Sequence, residues 1–155
     1  MTIANINKIA KRECLFFRHY PNAYSFPVIT CQEASMARNV SIERELKHMI
    51  IESNNHQQWL VHVPGSKKVS LFKVKHYLNK SDIKLANLSD YHNNSFHRGE
   101  ICPFLAPFWE MTHLIDVDIL KNKKMSTNDG SLRGFLIFNP KLLLFSQYHF
   151  IDSFS

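Results

Sequence analysis

The stretch that most narrows the possible folds is a pair of short apolar runs around a polar turn. Lys47-His48-Met49-Ile50-Ile51-Glu52 and Gln58-Trp59-Leu60-Val61-His62-Val63 flank Ser53-Asn54-Asn55-His56. Two apolar runs of this length around turn-forming residues specify an antiparallel hairpin. Pro64-Gly65-Ser66 closes it. Ser70 then caps a helix that carries Leu71, Val74 and Leu78 at spacings of three and four. Its opposite face holds Lys73, His76 and Lys80.

The flanking segments are equally short. Residues 3–11 suit a helix, and residues 14–19 read as a strand that ends at the turn Pro21-Asn22. Thr30-Cys31-Gln32-Glu33 fits a capping box, opening a helix to about Arg38 with Ala34 and Ala37 inward. Ser41 starts another short helical turn to about Leu46. Strands are expected over residues 83–86, 113–117 and 135–138, a loop over 98–107, and no definite element over 90–96. Asn139-Pro140 is an N-cap with proline at the first helical position, opening a short helix over 142–145. Residues 147–155 read as a loose tail. This order predicts one α+β domain over residues 1–155, a twisted, mixed, mostly antiparallel and barrel-like sheet flanked by short helices.

Composition excludes several classes. At 155 residues with 45% hydrophobic content and 12 Phe, the chain buries a core and is not a disordered one. No apolar stretch reaches membrane-spanning length, and Met1 to Lys8 has no signal-like apolar core. Cys14, Cys31 and Cys102 are too few and too widely spaced for a disulfide framework or a zinc pattern. They read as reduced thiols of a cytoplasmic protein. His92 and His97 with Cys102 lack the paired spacing of a metal site, so no metal or cofactor is expected. The net charge of +6 points weakly to a polyanionic partner.

Four ordered pieces carry a family resemblance. They are Thr30-Cys31-Gln32-Glu33-Ala34 leading to Leu46-Lys47-His48-Met49-Ile50; Leu60-Val61-His62-Val63-Pro64-Gly65-Ser66-Lys67-Lys68-Val69-Ser70-Leu71; Gly99-x-x-x-Pro103-Phe104; and Leu114-Ile115-Asp116, Gly130-Ser131-Leu132-Arg133-Gly134 and Asn139-Pro140-Lys141-Leu142-Leu143. On these pieces the chain resembles the YbaK/ProX family of aminoacyl-tRNA deacylases, the editing domains associated with prolyl-tRNA synthetase, and the resemblance covers about residues 19–145. Cys102 stands where relatives commonly have Ser or Thr, and Leu105 to Trp109 replace a stretch that often keeps a Gly.

The resemblance implies a free-standing hydrolase that removes a wrong amino acid from a tRNA 3′ end. An aminoacyl ester is already activated, so the site must position water, hold the terminal adenosine and stabilise the oxyanion. It implies Lys47 as the residue required for deacylation. It also implies Gly99, Glu100, Ile101, Cys102, Pro103 and Phe104 as a loop whose amides face the substrate carbonyl. It implies His19, Arg133 and Gly134 as further residues near the pocket, and Met49, Ile101 and Phe104 are candidates for the wall that sizes the side chain. Lys67, Lys68, Lys73 and Lys80, with His76, fit a phosphate track for the acceptor stem. Phe108 and Trp109 are candidates to stack on the terminal adenine. A synthetase is a further partner. Two alternatives stay open: a non-catalytic tRNA- or synthetase-binding module, and a cysteine hydrolase using Cys102 with His97 or His113 as base.

Overall fold

The computed structural model describes residues 1–88 and 98–155. Residues 90–96 and His92 and His97 lie outside the described residues. The hairpin forms as expected: β2 (Leu46–Glu52) pairs antiparallel with β3 (Gln58–Pro64), with Lys47 opposite Val63 and His48 opposite His62. β4 (Lys84–Leu85) adds to the outer edge of β2, and β5 (Thr112–Asp116) adds parallel to β3. β1 (Phe17–Tyr20), β6 (Met125–Asn128) and β7 (Phe135–Phe138) make a separate three-stranded antiparallel sheet with β7 central. The pairing is mixed and mostly antiparallel, but among the described residues the strands divide into two open sheets and no barrel closes. The sheets meet at a parallel bridge between Glu45 and Ser126.

Among the described residues, three α-helices dress the sheets. α1 (Ile3–Arg12) starts at Thr2, whose hydroxyl accepts from the Asn5 amide. α2 (Cys31–Arg38) carries the full capping box: the Glu33 amide donates to Thr30, and the Glu33 carboxylate takes the Thr30 amide. Ala34 is buried there, but Ala37 faces solvent, because α2 packs on one narrow side only. α3 (Leu71–Leu78) is capped by Ser70 and buries Val74. Both α2 and α3 end on an asparagine in the left-handed conformation, Asn39 and Asn79.

Strand alternation sorts the five-stranded sheet into two faces. Ile51, Trp59, Val61, Val63 and Leu114 lie under α3 with Val74, Ile83 and Phe154. Ile50 and Leu60 turn the other way, to Ile101 and Phe108. The main core joins Ile6, Ala10, Leu46, Phe104, Trp109, Ile115, Leu136, Phe138 and Leu142.

The structure corrects three expectations. The first strand begins at Phe17, since Cys14 takes a positive φ that ends α1 and delays the extended run. Residues 147–155 are not loose: β8 (His149–Asp152) pairs parallel with β5, and Phe154 is fully buried. The Phe154 and Ser155 amides both donate to one Asp116 carboxylate oxygen, each at 2.9 Å. β6 was not expected at all, because Met125-Ser126-Thr127-Asn128 carries polar residues at positions that the fold buries. No helix among the described residues is long and apolar enough to cross a membrane.

Candidate functional site

A cleft of about 440 Å³ opens where the outer edge of β2 loses its neighbour. β4 covers β2 only at Ile51 and Glu52; the Ala86 amide still donates to the Ile50 carbonyl at 2.9 Å, and the chain then turns away. The cleft takes its walls from residues 46–50 of β2, from Cys31 and Ala34 of α2, from Gly99 and Ile101, and from Thr127 and Asn128 of β6. Lys47, Met49, Gly99 and Ile101 are thus brought together. A Cβ on Gly99 would lie 3.0 Å from the Val28 carbonyl oxygen and 3.1 Å from the Ile29 Cα, so only glycine lets the two cleft walls approach this closely.

Within the cleft, the parity of β2 turns Lys47 and the loop-facing residue to opposite sides of the strand. Lys47 and Met49 point to the α3 side, and the Lys47 ammonium donates to the Lys67 carbonyl at 2.6 Å. His48 turns to the loop instead and hydrogen-bonds the Ile101 backbone. The Asn128 side-chain amide donates to the Ile101 carbonyl at 2.8 Å, so β6 grips the same point.

The rest of the expected loop lies behind the cleft. Cys102, Pro103 and Phe104 are buried, with Cys102 and Phe104 in the main core, and Glu100 is half-buried. Burial pushes the Cys102 thiol up to about 12, so it stays protonated near neutral pH. His113, its proposed base, is held by other partners. Cys102 therefore faces neither the cleft nor a free His113, and His97 lies outside the described residues. Phe108 and Trp109 are buried as well and anchor the loop rather than offer a stacking face.

Three histidines run across the inner face of the larger sheet. His62 Nε2 lies 2.8 Å from His113 Nδ1, and His113 Nε2 donates to the Trp109 carbonyl at 3.2 Å. The ring of His48 stands edge-on to that of His62. Burial lowers all three from 6.5: His48 and His113 to about 4, and His62 well below its ordinary value. An unfolded chain protonates these rings as the pH falls through 6.5, whereas the folded chain resists until near 4. The stability held by the neutral rings is therefore complete above pH 6.5 and is lost between 6.5 and 4. For His113, fully buried, the full loss is on the order of 3 kcal/mol. The urea midpoint is expected to fall markedly from pH 7.5 to pH 4.5; equal midpoints would contradict this.

The remaining candidates gather around Asp129. His19 Nε2 donates to Asp129 Oδ2 at 2.8 Å, and the Ser131 amide and hydroxyl donate to Oδ1. A Cβ on Gly134 would collide with the Asp129 carboxylate. Gly134→Ala is therefore expected to displace the carboxylate and cost about 1–3 kcal/mol in lost hydrogen bonds. A melting temperature unchanged in that variant would refute the packing argument. Arg133 is exposed and donates to the Ser25 carbonyl, away from the cleft. None of His19, Arg133 or Gly134 lines the cleft itself.

The basic residues stand on the outer face. Lys67 pairs with Asp118, Lys73 donates to Ser153 and the Ser155 carbonyl, Lys68 is exposed and Lys80 half-buried. Through the Lys67 carbonyl this face touches Lys47 and so adjoins the cleft. Among the described residues, no group of three or more His, Cys, Asp or Glu is placed to hold a metal ion.

The cleft also contains residues that sequence reasoning passed over. Arg38 and Glu45 line it, with side chains only 4% and 2% exposed. Arg38 Nη1 donates to Glu45 Oε2 at 2.7 Å and to Ser126 Oγ at 2.9 Å, and its Nε donates to the Tyr24 hydroxyl at 2.9 Å. Burial raises the Glu45 carboxyl, and the guanidinium opposes that rise. His48 and Asn128 were missed too. A polar residue at a buried strand position, such as His48 or His62 in the hairpin, is a signal that the apolar pattern alone hides.

Comparison with known proteins matches this architecture to one family. The aminoacyl-tRNA editing domain matches residues 26–144. No curated protein sequence matches the chain. Among solved structures, the hypothetical protein APE2540 superposes with a TM-score of 0.78 at 22% identity, covering 96% of this chain and 97% of that one. A candidate trans-editing enzyme for prolyl-tRNA synthetase superposes with a TM-score of 0.69 at 17% identity, covering 99% of this chain and 96% of that one. The family match takes in α2, the hairpin, the Gly99 loop and β6, which are the elements that build the cleft, and the chain belongs to the aminoacyl-tRNA editing domain family.

Proposed function

We propose that the chain is a trans-acting deacylase that hydrolyses the ester of a mischarged tRNA, working in the cytoplasm, with a synthetase as a further partner. The observation that carries this reading is the cleft that brings Lys47 to the rim opposite Gly99 and Ile101 in an editing-domain fold. The likeness to a candidate trans-editing enzyme supports the trans-acting reading.

In this reading the terminal aminoacyl-adenosine enters the cleft with its side chain against Met49, Cys31 and Ile101. Water attacks the carbonyl carbon and forms the new C–O bond. The bond to the ribose oxygen then breaks; one water proton ends on the ribose hydroxyl, and the other leaves as the amino acid carboxyl ionises. Lys47, released from the Lys67 carbonyl, holds a phosphate or the substrate carbonyl by its charge. The buried Cys102–Phe104 stretch stiffens the Gly99–Ile101 wall from behind, and Lys67, Lys68, Lys73 and Lys80 meet acceptor-stem phosphates.

An adenosine carrying an amide-linked amino acid at its 3′ position tests the site without turnover. Binding is expected to shift the NMR amide signals of Cys31, Met49 and Gly99. Shifts confined to residues outside the cleft would contradict the assignment.

A further inference from the structure

The main chain of β2 shows which way its edge looks. The Gly65 amide donates to the Glu45 carbonyl at 2.7 Å, and the Ala86 amide donates to the Ile50 carbonyl at 2.9 Å. Residues therefore alternate: odd-numbered ones turn their N–H and C=O toward β3, and even-numbered ones turn them toward the outer edge. That edge is closed at one end by the Glu45–Ser126 bridge and at the other by β4 at Ile51 and Glu52. His48 lies between these closures. Among the described residues, no backbone partner meets it on that side, and the cleft opens there. Its side chain, hydrogen-bonded to the Ile101 backbone, ties this open strand position to the opposite wall.

An aminoacyl ester has the same atoms as one strand residue: an amino nitrogen, a Cα and a carbonyl. In the extended conformation its N–H and C=O point to one side with the spacing of a strand residue. We infer that His48 binds the aminoacyl group through its main chain, as a one-residue strand addition. Its C=O accepts from the α-ammonium, and its N–H donates to the carbonyl oxygen as that oxygen becomes an oxyanion. The side chain of the bound amino acid then projects to one face of the β2 edge, and a D-amino acid would project to the other. This inference rests on the deacylase reading and adds a hydrogen-bond donor on the wall facing the Gly99 loop. The loss of a single oxyanion donor typically lowers kcat by 10²–10³-fold.

The test removes one atom pair. Replacing His48 by its α-hydroxy acid analogue keeps the imidazole and deletes the backbone N–H. The same exchange at Leu60, inside the sheet and away from the cleft, serves as the control for a lost sheet hydrogen bond. The expected result is a fall in kcat of about 100-fold or more at position 48, with a much smaller change in KM. At position 60 kcat stays within about threefold. Equal losses at the two positions, or kcat at position 48 within about threefold of the parent, would overturn the inference. A second readout is independent of turnover: the amide-linked aminoacyl adenosine is expected to move the His48 amide proton signal downfield. If the parent protein hydrolyses no aminoacyl-tRNA, the deacylase reading fails, and this signal alone decides the strand-edge claim: a shift sustains it, and an unmoved signal refutes it.

Discussion

Lys47→Ala is expected to lower the rate constant for deacylation by about 100-fold or more, while the melting temperature stays within a few degrees of the parent. The reasoning starts from what the ammonium does in the free protein. It donates one hydrogen bond, to the Lys67 carbonyl at 2.6 Å, at the surface of the cleft. Losing such a bond removes about 0.5–1.5 kcal/mol of stability. In the proposed mechanism the same charge faces a phosphate or a developing oxyanion inside the cleft, where a single charged group is worth several kcal/mol. Lys47→Arg should recover only part of the rate, because a planar fork does not reproduce a compact point charge. Unchanged turnover in Lys47→Ala would remove this residue from the mechanism.

Arg38→Leu is expected to cost about 3–5 kcal/mol, the largest stability effect among the cleft residues. The guanidinium sits between Tyr24, Glu45 and Ser126 and lies 5.3 Å from the centre of the Phe135 ring. Removing it strands a carboxylate with 2% exposure whose other partner is the Ser126 hydroxyl at 2.8 Å. Replacing both partners, Arg38→Leu with Glu45→Leu, is expected to restore much of the loss, since no charge then remains buried. Urea unfolding of the two variants decides the matter. A loss below about 1 kcal/mol in the single variant, or no recovery in the double, would show that the pair is not what holds α2 against β6.

How much of this could be read before the structure depended on how local the cause was. The hairpin, the Thr30 capping box, the Ser70 cap and the Asn139-Pro140 start each rest on residues within a few positions of one another, and each forms where expected. Elements held by distant partners were missed. β6 is polar by composition and becomes a strand only because β7 pairs with it and Glu45 bridges to it. β8 looked like a tail because the Asp116 carboxylate that fixes its end lies far back in the chain. At the site, motif order grouped Lys47, Met49, Gly99 and Ile101, and these four line one cleft. Motif order carries no information on facing, so Cys102 and Phe104 fell in the core and His48, not Lys47, met the loop. The Arg38–Glu45 pair has no local signature, since its two halves sit on separate elements that only folding brings together.

The central claim is that the cleft hydrolyses an aminoacyl ester. Its most direct measurement is the release of free amino acid from tRNAs charged with Ala, Cys, Ser, Pro and Thr, each incubated with the purified full chain and followed against spontaneous hydrolysis. The account predicts that at least one of these esters is cleared far faster than the uncatalysed rate, and that the Lys47→Ala chain loses that acceleration. Hydrolysis at the spontaneous rate for every charged tRNA would contradict it.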